Sequence, residues 1–337
     1  MKIAVMLSGG IDSFVTALLL KKEGHEVSAL TMVNWDYAIV DKACWAAETL
    51  GIHLTIIELQ DYFSRSIVNS FCESYLSGKT PNPCVKCNKK IKFGYLLSWA
   101  LENGYDKVAT GHYAIIEYHK AKDRYLLKKG RDYSKDQSYF LYALDQEQLS
   151  RTCFPLGEMT KQEVMEMAFD NGFPRAYKES QEICFINGDY RDLLRKRSTL
   201  IPGNIVDMSG KIIGRHQGLP LYTVGQRKGL GVSAGYPVYV IDMDMENNQL
   251  VVDKEEYLYT KELYSINNNL IYYATLDSDV KVEAKIRYRA QPAVATISWQ
   301  KDNSIKAVFA EPQRAVTRGQ SAVYYIGEYV LGGGEIW

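Results

Sequence analysis

The sequence contains no apolar run long enough to cross a membrane as a helix. It also shows no secretory leader, because the first predicted strand is already entered at residue 2, where a leader would have its charged segment. Both absences argue against a membrane or secreted protein. We therefore expect a cytoplasmic protein with no membrane partner.

An excess of one charge is missing too, because the 40 basic and 40 acidic residues cancel. Without a net field, a polyanionic partner would have to be bound by local patches of positive charge.

Cysteine is scarce, and 6 cysteines in 337 residues do not make the disulfide scaffold of a small secreted protein. We expect them to be free, metal-bound or catalytic thiols.

Two common nucleotide-binding motifs, the Walker loop and G-x-G-x-x-G, are absent from the start of the chain. In their place the apolar run Ile3–Leu7 is followed by SGGIDS at 8–13 and then by a helical apolar pattern from Phe14. Two glycines let the backbone approach an anion, which the hydroxyls, free amides and helix dipole also favour. No Walker lysine follows, which disfavours γ-phosphoryl transfer. The pattern predicts a phosphate loop, and an ordinary Gly-Gly turn is the alternative.

Strand and helix patterns alternate through the first part of the chain. Strands are predicted at 3–7, 26–32, 54–59 and 107–110, with helices at 14–22 and about 42–50. This alternation indicates an α/β fold with a doubly wound parallel sheet. Such sheets bind ligands beyond the carboxyl ends of their strands, where the loop at 8–13, Met32 and Gly111 all fall. His112 follows the same strand and becomes a site candidate, although a lone histidine is more often structural.

The character of the chain changes after about residue 198. Short β-like runs with many glycines follow, and from Tyr257 strand patterns succeed one another without a long helix. We predict three domains: a catalytic α/β domain at 1–198, a small mixed or β linking domain at 199–256, and a β-barrel at 257–337. Closure of the barrel would remove exposed strand edges.

Two cysteines lie on a loop that is followed by lysines. Prolines 81 and 83 exclude a helix before Cys84, and a basic run after Cys87 is predicted to begin the next helix. Positive charge and a helix start favour thiolates, so both cysteines should be reactive. A lone C-x-x-C also fits half of a zinc site, a redox pair or chance. Cys184, beside Phe185, is either a third site thiol or a small buried apolar residue.

Ten segments together resemble the tRNA-specific 2-thiouridylase family of the PP-loop superfamily, in the family's order and over essentially the whole chain. They are SGGIDS, TMVNWD, TPNPCVKCNKKIKF, ATGHYA, KDQSYFLYAL, EICFI, PGNIVD, TVGQRKGLG, IRYR and EPQRAVTRGQ. The resemblance implies an enzyme that adenylates the C2 oxygen of uridine 34 in a tRNA anticodon and replaces it with sulfur. It also implies ATP, Mg²⁺ and a sulfur donor, which would be a cysteine desulfurase, a relay protein or free sulfide.

The resemblance also assigns residues. ATP would be bound by Met6, Leu7, Ser8, Gly9, Gly10, Ile11, Asp12, Ser13, Met32 and Gly111, with Asp12 also on Mg²⁺. The anticodon stem-loop would be contacted by Asn82, Pro83, Cys84, His112, Lys135, Asp136, Gln137, Arg287, Tyr288 and Gln320. Cys87 would be the nucleophile and Cys184 the persulfide carrier.

Two features depart from the family pattern. The segment after Trp35 is shorter than usual, and residue 84 is a cysteine where some members have aspartate. Cys84, Cys87 and Cys184 thus form a thiol triad, which also resembles the three-cysteine 4Fe–4S sites of related tRNA thiolases. Two other functions remain as alternatives: an AMP-forming ligase or amidotransferase acting on a small metabolite, and a non-catalytic RNA-binding module.

Overall fold

The computed structural model of the protein describes residues 1–35, 37–175, 183–186 and 188–337. Asp36 and Glu182, which belong to two of the family segments, lie outside the described residues. The strands of the first part are β1 (Lys2–Met6), β2 (Glu26–Val33), β3 (Leu54–Glu58), β4 (Lys107–Ala109), β5 (Ala114–His119), β6 (Arg124–Lys129) and β7 (Thr152–Cys153). Its helices are α1 (Ile11–Lys22), α2 (Ala38–Leu50), α3 (Gln60–Phe63), α4 (Asn69–Leu76), α5 (Pro83–Cys87), α6 (Leu97–Glu102), α7 (Gln146–Ser150), α8 (Lys161–Asp170) and α9 (Tyr190–Arg197).

The first sheet is parallel and has the order β3-β2-β1-β4-β7. Its central strand β1 is a continuous apolar run whose Ile3, Ala4 and Val5 are fully buried, as in a sheet covered on both faces. The helix α2 ends at Gly51, whose left-handed φ of 60° lets the chain turn into β3. The predicted doubly wound sheet is confirmed.

The cysteine loop is more helical than predicted. The helix α5 begins at Pro83, where the missing amide of proline is harmless, and it continues without a break into a π-helical segment, Asn88–Leu96. The prediction that a new helix starts after Cys87 is therefore wrong, because the basic run continues the same helical path. A second π-helical segment, Ser64–Val68, joins α3 to α4.

A second, small sheet follows the first domain. It consists of β8 (Gly203–Val206), β9 (Ile212–His216), β10 (Tyr239–Asp244) and β11 (Gln249–Asp253) in the order β10-β11-β8-β9. This sheet has its own apolar core, which includes Ile205, Leu221 and Leu250.

The last strands close into a barrel, as predicted. They are β12 (Tyr259–Leu270), β13 (Val280–Lys285), β14 (Ala293–Trp299), β15 (Ile305–Arg314), β16 (Ser321–Ile326) and β17 (Tyr329–Ile336). Their order is β12-β15-β14-β13-β16-β17, and antiparallel pairing of β12 with β17 closes the ring. The hairpin β5–β6 extends the same sheet, because β6 pairs with β17.

Buried tyrosines connect the barrel to the first part of the chain. The hydroxyl of Tyr139 donates to Ser321 O (2.9 Å), and that of Tyr142 donates to Ser321 Oγ (3.3 Å). The hydroxyls of Tyr325 and Ser138 lie 3.3 Å apart. These contacts and the shared sheet connect the first predicted domain to the barrel. The predicted domain limits at 198/199 and 256/257 stay predictions. Among the described residues, no helix has the length and apolar character that a membrane span requires.

Candidate active site

The loop between β1 and α1 forms an anion-binding turn. Gly9 has a left-handed φ of 69°, and Gly10 is extended where α1 begins. The Ser13 hydroxyl donates to Gly10 O (2.9 Å) and accepts from the Ser8 amide (3.2 Å), which closes the turn. Because no side chain caps the first turn of α1, its amides remain available to an anion.

Two cavities meet at this loop and share Ser8, Asp12, Ser13 and Gln137. The larger has a volume of about 1050 Å³ and the smaller of about 240 Å³. The predicted ATP residues that line the smaller cavity are Met6, Leu7, Ser8, Asp12, Ser13, Met32 and Gly111. Those that line the larger one are Ser8, Gly10, Ile11, Asp12 and Ser13, and Gly9 lines neither.

The smaller cavity has the character of a nucleoside pocket. Its walls include the apolar side chains of Leu30, Met32 and Leu96. A Cβ on Gly111 would lie 2.8 Å from the backbone carbonyl carbon of Asp12, so only glycine lets the end of β4 approach the loop this closely. An apolar slot beside a phosphate loop suits a purine ring whose phosphates lie at the loop.

His112 lines this smaller cavity and not the larger one. Its Nδ1 and the Thr110 hydroxyl are 2.7 Å apart, and its ring packs against Phe93 and Phe154. Burial and, secondarily, the charge of Lys92 hold the pKa of the imidazole well below its usual range. The ring is neutral at pH 7, and its position fits the nucleotide better than the predicted contact with tRNA.

Asp12 is held by two donors that lie far away in the sequence. Its Oδ1 accepts from the Tyr113 hydroxyl (2.7 Å) and from Lys161 Nζ (2.7 Å). Lys161 is the first residue of α8 and also lines the larger cavity. The sequence analysis missed this lysine. The capping box of Thr160 and Glu163 marks the start of its helix, but nothing local in the sequence indicates where that helix packs.

The thiol loop opens onto the larger cavity. Cys84 lines it and is exposed, whereas Cys87 is half-buried behind it. Cys184 is also exposed, and Asn34 Nδ2 donates to its sulfur at 3.6 Å. The neighbouring Phe185 is the buried residue of this segment. Its ring packs edge-on against Phe63 and Phe71, and this contact anchors Cys184.

The three thiols are not the thiolates that the sequence predicts. Burial raises the pKa of Cys87 to about 11, with Cys84 and Cys184 adding to the rise. Burial also raises the pKa of Cys84 and of Cys184. Lys92 lowers all three pKa values, as the lysine-rich loop predicts, but removal of the sulfurs from water has the larger effect.

The described residues include no set of three His, Cys, Asp or Glu side chains placed to hold a metal ion together. The donor set of a 4Fe–4S cluster is therefore not assembled at Cys84, Cys87 and Cys184. A single Mg²⁺ that is bound mainly by ATP phosphates needs only one or two protein ligands. Asp12 fits that role, because its Oδ2 makes no hydrogen bond within the described residues.

Comparison with known proteins covers the whole chain. Residues 1–188 match the tRNA methyl transferase HUP domain family, 191–254 the tRNA methyl transferase PRC-barrel domain and 258–336 the aminomethyltransferase beta-barrel domain. The tRNA-specific 2-thiouridylase MnmA of Syntrophomonas wolfei is 50% identical over 338 residues, which span 100% of both chains. The chain belongs to the tRNA-specific 2-thiouridylase family. The family predicted from the ten segments is confirmed.

Other members of the family are nearly as similar. The enzymes named tRNA-specific 2-thiouridylase MnmA from Moorella thermoacetica and Heliobacterium modesticaldum are 46% and 47% identical, covering 98% and 99% of this chain and 98% and 92% of their own. Among solved structures, a predicted subunit of tRNA methyltransferase from Methanocaldococcus jannaschii has 20% identity and a TM-score of 0.36 over 58% of this chain and 88% of its own. That likeness is too remote to bear on the fold or the site. Members of the thiouridylase family use ATP with Mg²⁺.

The residues that the 2-thiouridylase family predicts to contact tRNA lie mostly around the larger cavity. Those that line it are Asn82, Pro83, Cys84, Lys135, Asp136, Gln137, Tyr288 and Gln320. Several also organise the walls. Buried Asp136 accepts from the amides of Gly130 and Ser138, both at 3.1 Å, and Gln320 Nε2 donates to Thr80 O at 2.9 Å.

Arg287 lines neither cavity. Its guanidinium donates to Ala315 O (2.7 Å) and to Thr317 Oγ1 (2.6 Å), so it braces the loop that precedes β16. Its contact with tRNA stays a prediction. The larger cavity is instead lined by Lys285 and Arg289 from the same part of the barrel.

Proposed function

We propose that this chain is an ATP-dependent tRNA 2-thiouridylase, which replaces the C2 oxygen of uridine 34 in the anticodon with sulfur. One observation carries the proposal: the phosphate loop and the thiol loop open onto a single cavity, in which Asp12, Ser13 and Cys84 line the same space. A cavity of about 1050 Å³ is large enough to admit a nucleotide that has left its stack. The same activity is named for relatives up to 50% identical. Since tRNA and ATP are its substrates, we place the reaction in the cytoplasm.

In the first step the C2 oxygen of the uridine attacks the α-phosphorus of ATP. An O–P bond forms, the bond from the α-phosphorus to the bridging oxygen breaks, and pyrophosphate leaves as uridine N3 loses its proton. This converts a poor leaving group on C2 into a good one. Ser8, Ser13 and Lys161 are placed to bind the pyrophosphate. Mg²⁺ would neutralise the charge on that leaving group, with Asp12 as its protein ligand.

In the second step the terminal sulfur of a persulfide on Cys184 attacks C2, and AMP leaves with the oxygen. The Cys87 thiolate then attacks the Cys184 sulfur, which releases the 2-thiouridine and leaves a Cys87–Cys184 disulfide. Uridine N3 regains a proton. Free sulfide would reload Cys184 by opening this disulfide, whereas a cysteine desulfurase or relay protein would reload it after a thiol reductant has restored both thiols.

The persulfide route requires only two of the three thiols. It is supported by Cys184, which adds to the rise in the pKa of Cys87, and by Asn34, which donates to the Cys184 sulfur. The 4Fe–4S alternative would need Cys84 as a third ligand. Because those donors are not assembled in the structure, the cluster takes no part in the proposed reaction. A ligase acting on a small metabolite would leave Cys84, Cys87 and Cys184 without a role.

Single alanine variants test this proposal. Cys87→Ala and Cys184→Ala should abolish 2-thiouridine formation in tRNA but retain tRNA-dependent exchange of pyrophosphate into ATP, because the adenylation residues are untouched. Cys84→Ala should keep much of its thiolation activity, as should the matched control Cys44→Ala outside the site. Thiolation is measured by nucleoside mass spectrometry after anaerobic purification.

Two results would contradict the proposal. If Cys84→Ala lost iron and activity together, an iron–sulfur route would replace the persulfide. If the wild-type protein released ADP and inorganic phosphate instead of AMP and pyrophosphate, the assignment of the loop at 8–13 would be wrong.

A further inference from the structure

Among the described residues, Lys92 is the lysine or arginine that lines the smaller cavity, since His112 there is neutral. Lys92 is half-buried on the π-helical segment Asn88–Leu96, one turn beyond the thiol Cys87. No carboxylate of the described chain forms an ion pair with it. The carboxylate that the described residues place on the cavity wall, Asp12, is already paired with Lys161 at 2.7 Å.

A lysine that lines a cavity without a counter-ion leaves its ammonium group available to an anion. The cavity indicates which anion, because Lys92 shares its walls with Ser8 and Ser13 of the phosphate loop. The other lysines of the site, Lys129, Lys135, Lys161 and Lys285, line the larger cavity only. Among the described residues, the pyrophosphate end of ATP therefore has its own cations, and the nucleoside end has Lys92.

We propose that Lys92 binds the α-phosphoryl group, first in ATP and then in the AMP that leaves when sulfur attacks C2. This inference rests on the proposed function. The α-phosphorus joins the nucleoside to the pyrophosphate, so it lies where the two cavities meet. Negative charge grows on its oxygens when the uridine oxygen bonds to phosphorus, and again when the C2–O bond breaks and AMP departs. A cation that stays on the nucleoside side stabilises both transition states.

The electrostatics of the site agree with this position. The charge of Lys92 lowers the pKa of Cys84, Cys87 and Cys184 and adds to the effect of burial on His112. These groups come from three separate segments of the chain. The ammonium group is thus within electrostatic reach of both the nucleotide pocket and the thiols.

The test compares AMP with adenosine, which lacks only the phosphate, by isothermal titration calorimetry on the full chain. Lys92→Met keeps the length of the side chain and removes its charge, so AMP affinity should fall by about tenfold to a hundredfold while adenosine affinity is unchanged. Lys92→Arg should restore much of the AMP affinity. Lys90→Met removes an exposed lysine from the same π-helical segment and should change neither affinity.

Two outcomes would overturn the inference. AMP affinity that is unchanged in Lys92→Met would show that the ammonium does not contact the phosphate. An equal loss of AMP and adenosine affinity would show that Lys92 holds the nucleoside or the shape of the pocket. Both are distinct from failure of the proposed function, which would appear as a wild-type protein that forms no 2-thiouridine in tRNA.

Discussion

At the residue scale, the proposed reaction requires Cys87 to become a thiolate, although burial raises its pKa to about 11. In the free protein nearly all of this thiol is therefore protonated at neutral pH. A protonated thiol is a poor nucleophile, so in the proposed reaction the free protein would hold Cys87 back from attack on a Cys184 persulfide. Lys92 opposes the effect of burial and is the group in the site that favours the thiolate.

This pKa predicts slow alkylation of Cys87 by iodoacetamide in the free protein. Only the thiolate reacts, and burial disfavours the thiolate, so the rate should rise with pH throughout the range from 7 to 10. At pH 7.5 the rate should lie on the order of a hundredfold below that of glutathione. Peptide mass spectrometry measures the modification of Cys87 separately from that of the other cysteines. A rate that levels off below pH 9 would contradict the raised pKa.

At the scale of single elements, the loop at 8–13 depends on how closely β4 approaches α1. Gly111, at the end of β4, has backbone atoms of Asp12 as its nearest neighbours, and these atoms cannot move aside as a flexible side chain can. The closeness of this contact brings the nucleoside pocket and the phosphate loop together. The backbone of Gly111 is not in the left-handed region, so its conformation does not require glycine. Glycine is needed here because a side chain would not fit.

Gly111→Ala should therefore weaken ATP binding by at least about tenfold, because the added methyl group would lie 2.8 Å from the Asp12 backbone and displace the loop. The matched control is Gly104→Ala, where φ is 79° and a Cβ would meet nothing within 4 Å. That change should cost about 1 kcal/mol of stability and leave ATP affinity unchanged. Calorimetric titration with ATP, combined with thermal unfolding, separates the two effects. Equal ATP affinity in both variants would refute the steric argument.

Helices and strands that are determined by neighbouring residues could be predicted from the sequence. The strand β1 and the end of α2 follow from an apolar run and from Gly51. The π-helical segment Asn88–Leu96 could not be predicted, because its hydrogen bonds leave no distinctive period in the sequence. The hairpin β5–β6 was also missed, since it becomes part of a sheet only by pairing with β17, about two hundred residues later.

At the scale of the whole molecule, the site is assembled from distant parts of the chain. Cys84, Lys161 and Gln320 all line the larger cavity, although they belong to a helix of the thiol loop, to α8 and to the barrel. Motifs predicted most of these residues, but the Lys161–Asp12 pair and the bracing role of Gln320 depend on how the helices and the barrel pack. Packing of this kind has no local signature in a single sequence.

The barrel positions the thiol loop through a small set of hydrogen bonds. Gln320 Nε2 donates to Thr80 O at 2.9 Å and to Pro81 O at 3.4 Å, and the Thr80 amide donates to Arg318 O at 2.8 Å. Lys79 adds an ion pair with Glu335 at 3.4 Å. The segment just before Cys84 is therefore fixed by the barrel and not only by its own helix.

Gln320→Ala should lower the turnover number for tRNA thiolation by about tenfold, because two carbonyl oxygens lose their donor and the thiol loop loses its support. AMP affinity should not change, since Gln320 does not line the smaller cavity. The control Gln313→Ala removes an amide that donates only to Glu311 O, within its own strand, and should have little effect. Steady-state kinetics with varied tRNA distinguish this bracing role from the predicted tRNA contact. A brace lowers kcat at nearly constant KM, whereas a raised KM with unchanged kcat would show that Gln320 acts on the tRNA directly.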